Sequence, residues 1–296
     1  MANTIQKFKK YVVGLLDEVY KNASKTAILD GAPELASQGA NADELIIPKI
    51  DMDGLGDYDR NSGYTQGDVT FTNETVKCNF DRGRMFTVDN VDNMDTAGMA
   101  FGRLSGEFIR TKVVPELDAF RFATYAATSG ADITAHSGSY ADGEAVRKAI
   151  AAKNDAMTDA EVPAEGRVLF INPVLNGMIR DMDTTKSKEL LAKFAAVVEV
   201  PQARFYTAIE QLDGKSEGQK KGGFKKADSG FNLNFLIVEK SAVIQYQKHV
   251  APKTVTPEQN QDADAYKFGY RNVGIADTYE NKAAGIAGEY AGASGA

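Results

Sequence analysis

Hydrophobic and polar positions follow two periods along this chain, and the switches between them mark its elements. Near the start, Ile5, Phe8, Val12, Leu15, Leu16 and Val19 recur at helical spacing, with Lys7, Lys9, Lys10, Lys21 and Lys25 on other positions. That predicts an amphipathic helix over about residues 4–24, either an ordinary surface helix or an arm that docks on a neighbour. Residues 30–43 have linker composition. From 44 to 68, Pro48 and repeated Gly and Asp argue against helix. Beyond, Val76, Cys78, Phe80, Phe86 and Val88 share one parity, and Lys77, Asn79, Asp81, Thr87 and Asp89 share the other. This is strand patterning, with Arg82-Gly83-Arg84 interrupting it as a turn or bulge. The expected product is a long polar hairpin with arms at 69–71, 76–80 and 85–88. Such a hairpin cannot bury a core of its own, and its edges need a partner.

Helical rhythm then returns. Ala97, Phe101, Leu104, Phe108, Leu117, Phe120 and Thr124 hold i, i+3/i+4 spacing behind Asp95, a suitable N-cap. One helix from 95 to 128 would span roughly 50 Å, with Pro115 kinking it. Residues 129–140 read as loop, 142–157 as helix with Ala145, Ile150 and Ala151 inward, and 167–171 (RVLFI) as a buried strand. Helices are expected at 174–182 and 186–194, an extended stretch broken by Pro201 at 197–206, and an open Gly/Lys loop at 214–230. Residues 232–238 read as strand, and 241–246 as a short helix or an extended segment. Tyr266, Phe268 and Tyr270 alternate in a late strand, and the Gly/Ala-rich tail is expected to fray. No internal repeat is visible. Strands and helices do not alternate regularly, which gives the α+β class.

Composition narrows the function. The 296 residues suffice for one large domain or two smaller ones. At 43% hydrophobic and 25% charged, the chain is ordinary for a soluble protein, and no apolar run approaches a membrane span. The N-terminus lacks the h-region and cleavage site of a signal peptide. A net charge of −7 leaves no broad basic footprint for tight nucleic-acid binding. The single Cys78 excludes an intrachain disulfide, fits a reducing compartment, and reads as a small hydrophobe on a strand face.

Signals for chemistry are weak. Numbered from Asp51, a calcium loop would have Asp53 and Gly56 in place, but Leu55 and Ser62 stand where oxygen ligands belong. Gly214-Lys215-Ser216 ends like a phosphate loop, but Ile209 occupies the first glycine position. His136 and His249 are the only histidines, neither in a nucleophile context. No metal or cofactor is expected, and an enzyme is disfavoured.

The order of parts, and above all GLGDYDRNSGYTQGDVTFTNETVKCNFDRGRMFTVDNVDNMDTAGMAFGRLSGEFIRTKVVPELDAFRFA, resembles the Hong Kong 97-like major capsid proteins of tailed bacteriophages, siphovirus type. VLFINPVLNGMI and YKFGYRNVGIADTYENKAAGI are similar to later coat-protein segments. The resemblance implies an N-arm at 1–43, an extended E-loop hairpin at 44–92 and a spine helix at 93–129. It implies an axial domain at 130–243 and a peripheral return with tail at 244–296. Asp57, Tyr58, Asp59, Arg60, Tyr64, Lys77, Arg82 and Arg84 would then be E-loop residues that contact neighbouring subunits. Phe8, Val12, Leu15 and Leu16 would make N-arm contacts, while Phe101, Leu104, Phe108, Leu117 and Phe120 pack the spine. Lys215, Lys220, Lys221, Lys225 and Lys226 would lie on an axial loop.

The implied function is self-assembly into hexamers and pentamers of an icosahedral or prolate head enclosing double-stranded DNA. The implied location is the virion, assembled in the host bacterial cytoplasm. Implied partners are other copies, a portal protein at one vertex, a decoration protein and DNA held weakly. Because the arm begins close to Met1, a separate scaffolding protein is expected. Lys49 and Lys77 are the candidates by position for a covalent cross-link. The alternatives are an encapsulin-type nanocompartment shell and a soluble carboxylate-dependent enzyme.

Overall fold

The computed structural model describes residues 24–31, 37–38, 44–61, 63–90 and 105–292. The expected N-arm contacts at Phe8, Val12, Leu15 and Leu16 lie outside these residues. So do the expected cap Asp95 and the spine positions Ala97, Phe101 and Leu104.

Among the described residues, four sheets carry the strands. Strands β1 (Ser37–Gln38), β2 (Glu44–Met52) and β3 (Val69–Lys77) form an antiparallel sheet in which β2 pairs with both neighbours. Strand β4 (Phe80–Asp89) leaves that sheet and pairs with β12 (Ala265–Thr278), which also pairs with β11 (Val243–Val255). Strands β5 (Asp132–His136), β6 (Arg167–Ile171), β7 (Ala196–Glu199), β10 (Leu233–Glu239) and β13 (Ile286–Ala291) make a mixed sheet in the order β5-β13-β10-β6-β7. A small hairpin pairs β8 (Ile209–Gln211) with β9 (Phe224–Lys226).

The hairpin is therefore β2–β3, and the expected turn at 82–84 does not exist. Arg82, Gly83 and Arg84 run straight through β4, opposite Asn272, Arg271 and Tyr270. The period-2 alternation is real, with Phe80 buried and Asp81, Met85 and Thr87 exposed. Gly83 serves close approach instead of turning: a Cβ there would sit 2.9 Å from the Tyr270 carbonyl oxygen. Cys78, between β3 and β4, is half-buried against Val76, Ile244 and Ile275, the small-hydrophobe role expected of it.

The spine helix reads as helix from Ser105, turns π-helical over Ile109–Val113, and continues as α1 (Val114–Ala126). Pro115 has no N–H for the Thr111 carbonyl, and its ring crowds that turn. The ladder widens just before it: Val114 N–H donates to the Ile109 carbonyl, five residues back. The interruption thus falls one turn ahead of Pro115. Phe108, Val113 and Phe120 pack with buried Phe80, Ile109, Val114, Leu117, Phe268 and Tyr270 in one core between helix and β4–β12 sheet.

Helices α2 (Gly143–Asp159), α3 (Pro173–Asp181) and α4 (Thr185–Ala192) cover the mixed sheet. Asp142 and Asn172 cap α2 and α3 by accepting from the Ala145 and Val174 amides. Ile150, Leu169, Ile171, Phe235 and Ile237 fill that layer. On the other face of the sheet, Phe122 of α1 meets Phe170 and Phe205 edge to face at 5.1 and 4.9 Å.

Three further expectations are corrected. The 129–140 loop contains β5, which pairs in parallel with β13. The tail expected to fray contains β13, an inner strand with Ile286 and Ala287 fully buried. Its small residues serve packing: a Cβ on Gly288 would lie 2.6 Å from the Phe235 carbonyl oxygen. The Gly/Lys segment closes through β9, so Lys225 and Lys226 sit on a strand and not in an open loop.

Candidate assembly interface

The β2–β3 hairpin has one apolar face that no described residue covers. Ile50 lies opposite Phe71 and Met52 opposite Val69, so all four side chains share a face. They are 52%, 71%, 65% and 57% exposed in that order. At the base, Val76 is buried on Ile244 and Ile275 and moors the hairpin to β11 and β12.

The tip, residues 53–68, is closed by its own polar groups. Asp53 N–H donates to the Asp68 carbonyl at 3.1 Å, and Asp68 N–H donates to Asp53 Oδ2 at 2.9 Å. Asp59 Oδ1 accepts from Asn61 N–H at 2.6 Å, and Asp59 bridges Gly63. These aspartates shape turns, and among the described residues no group of three His, Cys, Asp or Glu side chains could hold a metal ion. Leu55, Tyr58 and Tyr64 project outward, the two tyrosine rings 4.9 Å apart. Asp57, Asp59 and Arg60 surround them, all exposed, and Lys77 is exposed at the end of β3.

Arg82 and Arg84 do not join the tip. Arg82 pairs with Glu116 at 2.7 Å and donates to the Leu212 and Gly223 carbonyls. Arg84 donates to the Lys220 carbonyl at 3.0 Å. The two arginines bind the 212–223 loop to β4, and the loop lysines Lys215, Lys220 and Lys221 are all exposed. Lys225 pairs across the small hairpin with Glu210 at 2.9 Å. Burial raises the pKa of the Glu116 carboxyl, and Arg82 opposes the rise.

The phosphate-loop tripeptide is already occupied. Asp213 accepts from the Lys215 and Ser216 amides at 2.7 and 2.9 Å and from the Ser216 hydroxyl. These bonds hold the Asp213 pKa down to about 2. Amides that face a carboxylate cannot cradle a phosphate. His136 stacks on Tyr140 at 3.9 Å, with Glu289 Oε2 3.5 Å from its Nδ1. Tyr140 donates to the same oxygen at 2.6 Å, and burial raises its pKa. No helix among the described residues is long and apolar enough to cross a membrane.

Sequence reasoning placed the tip residues on an exposed loop, where the structure has them. It missed the apolar face, because the β2–β3 register was needed to put Ile50, Met52, Val69 and Phe71 together.

No protein-family model matches the chain, and no curated protein matches it significantly. Solved structures do. One from Mycobacterium phage Che8 aligns with a TM-score of 0.59 at 16% identity, covering 88% of this chain and 89% of that one. The mature capsid of bacteriophage PhiM1 aligns with a TM-score of 0.60 at 10% identity, over 88% and 84%. A virus-like particle from Pyrococcus furiosus aligns with a TM-score of 0.55 at 12% identity, over 94% and 96%. The chain has the α+β, Hong Kong 97-like capsid fold.

Proposed function

We propose that this chain is the major capsid protein of a tailed bacteriophage. In this reading it assembles into hexamers and pentamers of a closed head around double-stranded DNA. The uncovered apolar face of the β2–β3 hairpin carries the proposal. A two-stranded hairpin is marginal alone. This one keeps four large apolar side chains in water although a core lies at its base. Covered by a neighbour, each side chain gains roughly 1–2 kcal/mol, and a closed shell repeats the gain at every copy. The reading assigns no catalysis, cofactor or metal. It expects a scaffolding protein, a portal and a decoration protein as partners, and virion localisation.

The test is electron microscopy of the purified chain, with and without neighbouring gene products, beside a variant lacking residues 54–67. Wild type should form shells or capsomers, and the deletion should leave a folded subunit that does not assemble. A wild-type chain that stays monomeric with every candidate scaffold would end this reading. Normal shells from the deletion variant would remove the hairpin from it. A second reading, a nanocompartment shell enclosing proteins, is favoured by the 96% coverage of the Pyrococcus particle's chain. Nucleic acid inside purified shells decides for the phage head, and protein cargo for the compartment.

A further inference from the structure

We infer that the cavity between β4, the π turn and the 212–223 loop binds a small amphipathic anion, an alkyl or aryl body that carries one acidic head. The site lies within one subunit, so it goes beyond the shell-forming reading and does not depend on it.

The cavity holds about 840 Å³, within the roughly 300–1,000 Å³ of small-molecule sites. Its floor is aromatic: Phe80, Phe86, Phe108, Phe224 and Tyr270. Phe108 meets Phe86 edge to face at 4.8 Å and Tyr270 at 6.3 Å, which fixes the rings against one another. Phe80 and Tyr270 are buried, whereas Phe86, Phe108 and Phe224 keep part of their surface open. An alkyl or aryl body suits such a floor. A sugar or a base does not, because its polar edges would lose water there without replacement.

The mouth carries cations without a carboxylate partner among the described residues. Lys112 and Lys221 are two of them, both exposed. Arg84 is the third, exposed yet held in place. Its Nη2 donates to the Lys220 carbonyl at 3.0 Å. Its Nη1 lies against Gly214 and Gly222, where a Cβ would sit 3.1 and 3.0 Å from it. Both glycines have positive φ, 72° and 64°, so the loop conformation and the room for the guanidinium come from the same two residues. The carboxylates that line the cavity are engaged elsewhere. Glu107 pairs with Arg110, Glu116 pairs with Arg82, and Asp213 accepts from the Lys215 and Ser216 amides. A positioned guanidinium with donors to spare, beside two lysines, selects a carboxylate, sulfonate or phosphate head. Charge at the mouth and rings on the floor together define an anion with an apolar body.

Calorimetric titration of unassembled full-length chain with monomeric dodecanoate tests this. Dodecanoate should bind at least about tenfold more tightly than dodecyltrimethylammonium, which has the same tail and the opposite charge, and than acetate, which has the head alone. Equal binding of either control overturns the inference, as does tighter binding of adenosine monophosphate. Two variants probe the site itself. Lys112→Gln with Lys221→Gln removes charge from the mouth, and Thr111→Trp fills it. All three positions are exposed, so the fold should persist, and a denaturation midpoint checks that it does. Each variant should weaken dodecanoate at least about fivefold. Wild-type affinity in a folded variant of either kind overturns the inference. Ile50→Ser with Phe71→Ser, on the hairpin face, should leave dodecanoate affinity within about twofold of wild type, because that face carries no fixed cation beside it. Loss of binding there overturns the inference and assigns the tail to the hairpin. Dodecanoate binding by a chain that never forms particles would overturn only the shell-forming reading.

Discussion

The Thr26 hydroxyl donates to Asp118 Oδ1 at 2.7 Å, and that bond ties the segment leading into the hairpin to the middle of α1. Asp118 is fully buried. It also accepts from Ser24 Oγ, from the Lys25 and Thr26 amides, and from Arg204 Nη1 at 3.0 Å. Gln245 completes the tie by donating to the Thr26 carbonyl and to Asp30. A buried carboxylate is tolerated only when its partners are this complete.

Asp118→Ala should therefore destabilise the subunit by about 3–5 kcal/mol, because it removes the shared acceptor of the buried Thr26 hydroxyl and amide, of the Lys25 amide and of the half-buried Arg204 guanidinium. Chemical denaturation of unassembled protein measures this. The same variant should be cut by protease near residues 24–31 faster than wild type. An unchanged midpoint and an unchanged cleavage rate would show that the cluster does not anchor the segment.

Two glycines should respond in opposite directions to alanine. Gly288→Ala places a methyl 2.6 Å from the Phe235 carbonyl oxygen on an inner strand, an overpacking cost of about 1–3 kcal/mol. Gly177 lies in α3, and a Cβ there would meet nothing within 4 Å, so Gly177→Ala should stabilise by about 0.5–1 kcal/mol. Thermal melts of the two variants decide the matter by the sign of their shifts.

Ile50→Ser combined with Phe71→Ser should improve the solubility of the unassembled chain and reduce assembly. Both side chains are exposed, so fold stability should move by less than about 0.5 kcal/mol. Sedimentation of mixed assembly reactions reads both effects. A fall in fold stability with assembly unaffected would mean that the apolar face is covered within its own chain.

The Asp213 turn should respond to acid. Its folded pKa lies below the ordinary 3.8, so the turn's stability is present above about pH 4 and is lost as pH falls toward 2. The amide resonances of Lys215 and Ser216 should titrate with a midpoint near 2. A midpoint near the ordinary carboxylate value would deny those hydrogen bonds, and Asp213→Asn should abolish the titration.

Local signals were legible where one segment decides its own structure. The apolar run RVLFI stands as β6 at its expected bounds, and the helix expected from residue 142 is capped there by Asp142. Legibility failed where distant backbone approaches. Arg82-Gly83-Arg84 has turn chemistry, but its glycine is needed because β12 passes close by. The Gly/Ala tail resembles a frayed end, yet an inner strand crowded by Phe235 and Leu236 requires small residues. The cavity was invisible because its walls come from 80–86, 107–116, 212–224 and 270–272. No periodicity links those stretches, and only the folded subunit joins them.

The π turn has a consequence for how this chain tolerates changes in length. In an unbroken α-helix, Phe108 and Leu117 would lie about 180° apart, on opposite faces. With one residue absorbed in the wide turn, the angle falls to about 80°, and both side chains reach the same core. Residues 109–113 therefore contain a spare. Deleting one residue there would turn the wide turn into an ordinary one while both flanking faces keep their direction. A deletion elsewhere in the helix would rotate one face out of its core.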